Sequence, residues 1–178
     1  APPPTGRLIY VCLEPEPGCV LQRSEDVVRC CEDVLWLVSN RSEAQRYMRV
    51  CHDICHAAVM FEDQHDVLAR YTAHGISVGK VQVSSAVCVD FDVLGQREQQ
   101  QAKQALASFA EDRYLHQTCV RSASDGEVQF FEDLPHALRE AAPIPHRRRA
   151  HALADMVTQR FGAPEAREAR LPPGAVRA

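Results

Sequence analysis

Long hydrophobic runs are missing from this chain of 178 residues, the longest being Leu8 to Leu13 and Val34 to Val38. Roughly 18 apolar residues are needed for a membrane helix, so membrane insertion is not expected. An excess of positive charge is missing as well, with 20 Lys and Arg against 24 Asp and Glu and a formal charge of −4. That balance excludes a nucleic-acid grip built on neutralising many phosphates. The first six residues, Ala-Pro-Pro-Pro-Thr-Gly, hold neither the apolar stretch nor the basic cluster of a targeting signal. A start at Ala rather than Met reads as a processed product or a fragment.

What is present is enough apolar material, 46% of residues, to bury one sizeable core. Eight Cys are sparse for a disulfide scaffold in a chain of this length, and Cys30, Cys31, Cys88 and Cys119 fall inside apolar segments. Reduced, mostly buried thiols and a cytoplasmic location are expected.

Arg7 to Leu13 is a continuous apolar run ended by Glu14-Pro-Glu-Pro-Gly18, a pattern that predicts a strand buried on both faces and then a loop. After Ser24 come two acids, and Val27, Val28, Cys31, Leu35 and Val38 recur at helical spacing. Tyr47, Met48, Cys51, Ile54, Cys55 and Ala58 also fit one helical face. Asp63 to His74 predicts a helix ended by Gly75, with Ile76 as its apolar partner. Val78 to Val83 reads as a strand and Gln96 to Glu111 as a helix. Strands alternating with helices predict a parallel α/β architecture. Tyr114 to Arg121 and Glu127 to Phe131 are further strand candidates, separated by the turn-forming Ser122 to Gly126. From Pro143 onward the alternation stops, and seven of the last 36 residues are Arg. Three segments follow: a Pro-rich start over 1–6, a repeating domain over 7–142, and an Arg/Ala/Pro-rich tail over 143–178.

Three polar clusters stand where apolar strands stop: Glu14 with Glu16, His52-Asp53-Ile-Cys-His56, and Gln82 with Ser84 and Ser85. Sites in parallel α/β folds assemble at the carboxyl ends of strands. Carboxylate, imidazole and amide oxygen together suit Mn²⁺ or Mg²⁺, or Zn²⁺ where His predominates. Each cluster alone has a plainer reading. Glu14 and Glu16 fit solvated loop acids, His52 and His56 an exposed helical pair, Cys51 and Cys55 core fillers, and Arg147-Arg148-Arg149 a solvated basic face. Zinc on Cys51, His52, Cys55 and His56 is disfavoured because no second closely spaced pair completes a structural site.

The segments Leu13 to Leu21, Val50 to Val59 with Phe61-Glu-Asp63, Gly75 to Ala86, and Tyr114-Leu-His-Gln117 resemble the EboE-type metabolite traffic proteins. These belong to the xylose isomerase-like TIM barrels, with sugar-phosphate isomerases and epimerases. The resemblance runs from about Arg7 to Leu138. It implies that Met48 to His52 is a barrel strand, with Glu14, Asp53 and His56 as metal ligands and Gln82 where many members place a His. Gln82 and Ser84 would contact substrate, Glu16 would move a proton, and His116 would be a further ligand or substrate contact. A closed barrel takes about 250 residues, so the expected fold is a partial (β/α) barrel. Its strands, Arg7 to Leu13, Met48 to His52, Val78 to Val83 and Tyr114 to Val120, would lie parallel in that order. The implied activity is metal-dependent isomerisation or epimerisation of a small metabolite. The alternative is a non-catalytic half-barrel that assembles with a partner chain or a missing half.

Overall fold

A computed structural model describes residues 6–38, 40–140 and 153–159, with Val38 and 153–159 described by backbone alone. The chain divides into two compact units, Ala1–Ser84 and Ser85–Ala178. The basic run Arg147 to Arg149 lies outside the described residues.

The first unit runs β1 (Val11–Leu13), α1 (Ser24–Cys30), a π-helical turn (Cys31–Leu35), α2 (Trp36–Val38), α3 (Arg41–Tyr47), β2 (Met48–Asp53), α4 (Ile54–Val59), α5 (Gln64–Ala73) and β3 (Val78–Gln82). Its strands form one parallel sheet in the order β1-β2-β3, with Val11 opposite Met48 and Asp53 opposite Gln82. The first three expected strands therefore stand parallel and in the expected order. Short connections of this kind, strand to helix to parallel strand, place the helices on a sheet face.

β2 occupies the stretch whose local pattern also fits a helix. The preceding helix ends at Tyr47 and the next begins at Ile54, leaving six extended residues. Pairing on both sides, with β1 and with β3, gives those residues ladder partners that outweigh local helical spacing. Alternation along β2 then sorts its side chains. Val50 enters a core with Val27, Val28, Cys31, Val67, Tyr71 and Ile76, while Cys51 and Asp53 point to the other face.

Helix ends follow local chemistry. The Asp26 carboxylate accepts from the backbone N–H of Gln22 and Arg23, at 3.1 and 2.9 Å, and closes the start of α1. Asp63 does the same for α5 through the N–H groups of His65 and Asp66. Gly75 takes a φ of 69°. Its N–H donates to the Thr72 carbonyl and that of Ile76 to the Tyr71 carbonyl, at 3.1 and 2.9 Å, a helix stop that sends buried Ile76 toward β3.

Gly79 in β3 is required by crowding. A Cβ there would lie 2.7 Å from Cys12 Sγ and from Tyr10 Cε2, and 2.9 Å from Arg49 Cβ. Arg49 is stacked 4.1 Å from the Tyr10 ring centroid, and the Tyr10 hydroxyl donates to the Gly79 carbonyl. Gly79→Ala is therefore expected to lose about 1–3 kcal/mol through overpacking, read as a lower urea midpoint. An unchanged midpoint would show that the sheet yields without strain.

The second unit contains β4 (Ala86–Asp90), α6 (Gln96–Ala107), β5 (Thr118–Ser122), β6 (Val128–Phe131), α7 (Leu134–Glu140) and β7 (Leu153–Gln159). Its sheet has the order β4-β7-β5-β6 with every pair antiparallel. Ala102, Leu106, Leu134 and Ala137 of the helices pack with Val89, Phe91, Val120 and Phe131.

Here the structure corrects one expectation. The segment Tyr114 to Val120 is not a fourth parallel strand: its ordered part, β5, is antiparallel in the second sheet. The cause is the turn after it. Gly126 at φ 73° and the bonds Gly126 N–H to Ser122 C=O and Ser122 N–H to Glu127 C=O fold β5 straight back onto β6, and so short a link permits only antiparallel pairing. Within the tail, Leu153–Gln159 forms β7, which sits between β4 and β5. No closed barrel is found among the described residues. No described helix is long and apolar enough to cross a membrane, and none of the eight cysteines is in a disulfide.

Candidate metal centre

The carboxyl ends of the three parallel strands bring Glu14, Asp53, His56 and Gln82 together. One ligand atom from each of Glu14, Asp53 and His56 lies within 4.8 Å of the others, and no other such group of three occurs among the described residues. Glu14 follows β1 directly, Asp53 ends β2, His56 lies in the first turn of α4 and Gln82 ends β3.

Asp53 has two separate duties, one for each oxygen. Oδ1 accepts from the N–H groups of Cys55 and His56 at 2.7 and 3.1 Å, capping α4, and from the Ser84 hydroxyl at 2.7 Å. Oδ2 accepts from Gln82 Nε2 at 2.9 Å and faces the cluster. Burial alone would raise this carboxyl. The hydrogen bonds from Ser84, His56 and Cys55, with the field of His56, outweigh it and hold the group below the usual carboxylate value.

A lowered value in the folded state gives stability above the unfolded-state value near ~4 that is lost as pH falls through the folded value. The stability of the wild-type chain should therefore fall more steeply than that of Asp53→Asn below about pH 4. Urea melts between pH 2 and 6 measure this. Parallel curves would remove Asp53 from the acid response, although Asp26, also lowered, would still contribute in both proteins.

His56 is buried and its Nδ1 lies 3.1 Å from the Pro15 carbonyl and 3.6 Å from Glu14 Oε1. A carbonyl only accepts, so Nδ1 carries the proton in this contact. Glu14 accepts from Gln82 Nε2 at 2.6 Å. It also faces Cys51, whose thiol burial pushes up to about 11, with further upward pushes from the Glu14 charge and hydrogen bond. Two carboxylates and one imidazole make a donor set suited to a divalent ion of the Mn²⁺, Mg²⁺ or Zn²⁺ type.

Other residues singled out in the sequence have partners of their own. Ser84 spends its hydroxyl on Asp53 and accepts from the Cys55 N–H at 3.2 Å, which makes it a support for the carboxylate. The Glu16 carboxylate accepts from the Cys19 thiol in the loop after β1 and is not in the three-residue group. His116 belongs to the second unit, where it precedes β5 and its N–H donates to Asp133 Oδ1 at 2.9 Å. His52 alternates away from Asp53 and meets Gln64 Oε1 at 2.7 Å, which removes it from any zinc set with Cys51. The sequence reading missed Lys80, whose Nζ donates to Gln82 Oε1 at 2.8 Å. Its spacing of two from Gln82 on one strand was the available signal.

Comparison of the chain with family models, curated proteins and solved structures finds no match.

Proposed function

We propose that the first unit is part of a (β/α) barrel of the xylose isomerase-like kind, and that the protein is a metal-dependent isomerase or epimerase acting on a small sugar-like metabolite, as in the EboE-type metabolite traffic proteins. The observation that carries this reading is the convergence of Glu14, Asp53 and His56 at the carboxyl ends of consecutive parallel strands. Glu14, Asp53 and His56 would hold the ion. Mn²⁺, Mg²⁺ or Zn²⁺ would supply a positive charge that polarises a carbonyl or hydroxyl. Glu16 is the carboxylate available in the same loop to move a proton between neighbouring carbons, once released from Cys19. Eight cysteines without a disulfide favour a reducing compartment such as the cytoplasm for this step.

The test is hydrogen exchange at carbon. The chain with Mn²⁺ in heavy water is expected to place deuterium next to the carbonyl of one member of a panel of aldoses, ketoses and their phosphates. Glu14→Gln should lose that exchange. Bound metal without exchange on any sugar would sink the enzyme reading.

A second reading rests on the edge of the sheet. β1 is an edge strand among the described residues; Val11 within it is 58% exposed and Ile9 just before it 81%. A partner chain that continues the parallel sheet at β1 would cover them, and would make the protein an assembly subunit.

A further inference from the structure

The cluster contains one group that an incoming cation must contend with, the side-chain amide of Gln82. An amide has one accepting end and one donating end, and their orientation is decided by its neighbours. Lys80 offers only donors, so the atom 2.8 Å from its Nζ must be the Gln82 oxygen. Ionised carboxylates only accept, so the atom 2.6 Å from Glu14 Oε1 and 2.9 Å from Asp53 Oδ2 must be the Gln82 nitrogen. Both ends independently demand the same orientation. The strand register puts all four groups in reach, with Lys80 opposite Cys51 and Gln82 opposite Asp53.

We propose that Lys80 is a positioning residue: it locks the Gln82 amide with its N–H groups toward Glu14 and Asp53, so that Gln82 acts as a resident donor in the cation's place and not as a metal ligand. The inference rests on the metal reading above and deepens it by naming what sets the affinity. Gln82 is the residue standing where the resembled family commonly has a His, and in this chain its oxygen is held by the ammonium group. Removing that group leaves the orientation to the two carboxylates alone, whose hold on the amide a bound divalent ion would weaken, and also removes a positive charge that repels the ion.

Two measurements test the proposal on the full chain. The first uses no metal. The side-chain NH₂ resonances of Gln82 are expected to be shifted and protected from exchange in the wild-type chain and in Lys80→Arg, and to lose part of that shift and protection in Lys80→Met, where the two carboxylates alone hold the amide. Unchanged resonances in Lys80→Met overturn the proposal. The second is Mn²⁺ titration followed by electron paramagnetic resonance. Lys80→Met should bind Mn²⁺ about tenfold more tightly, the lower end of effects from groups that orient ligands, and Lys80→Arg should match the wild-type chain. In a Gln82→Leu background the gain from Lys80→Met should shrink. An equal gain in both backgrounds assigns the effect to charge alone and overturns the positioning role. If no variant binds Mn²⁺, the metal reading and the affinity claim fall together, while the amide resonances still decide the orientation.

Discussion

Divalent cations are expected to raise the stability of the wild-type chain and to leave Asp53→Asn unmoved. Ligands just after β1, at the end of β2 and in α4 meet only when the sheet is assembled, so an ion that binds the folded form stabilises it by mass action. The gain is roughly 2.7 kcal/mol at a hundredfold excess over the dissociation constant. Asparagine is the informative replacement because Asp53 is also a helix cap. Asp53→Ala would remove the acceptor for the Cys55 and His56 N–H groups and for the Ser84 hydroxyl. That variant should lose about 2–3 kcal/mol whether or not a metal binds. Asp53→Asn keeps an oxygen for those three donors and replaces only Oδ2, the oxygen facing the cluster. Its amide nitrogen would meet the Gln82 nitrogen, a donor against a donor, at a cost of about 1 kcal/mol unless Gln82 turns over. Thermal melts with Mn²⁺, Mg²⁺ and Zn²⁺ on both proteins decide the matter. Equal shifts would place the ion elsewhere, and no shift in either would leave the cluster as a cap with its neighbours.

The parts of the site that could be read from the sequence are those fixed by strand ends. Glu14, Asp53 and Gln82 each follow an apolar stretch, and parallel strands bring their ends to one rim. Cys51 and Lys80 were not legible as neighbours of Glu14 and Gln82. Their placement depends on the β2–β3 register, which shifts between Val50 and Cys51, and no local pattern encodes a bulge of that kind. The local pattern of β2 fits a helix and only the resemblance implied a strand; pairing on both of its edges makes it one. The second sheet was misjudged for the opposite reason. The turn Ser122 to Gly126 is plain in the sequence, and it should have outweighed the expectation of a fourth parallel strand at Tyr114 to Val120. β7 offered little to read, because Leu153–Gln159 lies in an Arg- and Pro-rich tail and pairs with strands far away in the chain.

Glu62→Ala is expected to be among the most destabilising single changes in the first unit, at about 2–3 kcal/mol. The left-handed residue Phe61, φ 55°, turns the chain out of α4 and delivers the Glu62 carboxylate to the start of α1. There it accepts from the Ser24 N–H at 3.1 and 3.2 Å, and from the Ser24 hydroxyl. The hydroxyl accepts in turn from Arg70 on α5. Ser24 is 1% exposed, so without Glu62 its N–H and hydroxyl lose a charged acceptor in a place that water does not reach. Glu62 also lies 3.5 Å from Arg70 Nη1, but the Arg70 side chain is 32% exposed against 10% for Glu62. An ion pair with one solvated partner contributes little, so Arg70→Met should lose under about 1 kcal/mol. Glu62→Gln, which keeps one acceptor, should fall between the two. Urea unfolding of the three variants measures the order. A larger loss in Arg70→Met than in Glu62→Ala would show that the ion pair, and not the capping of α1 by Glu62, ties these helices together.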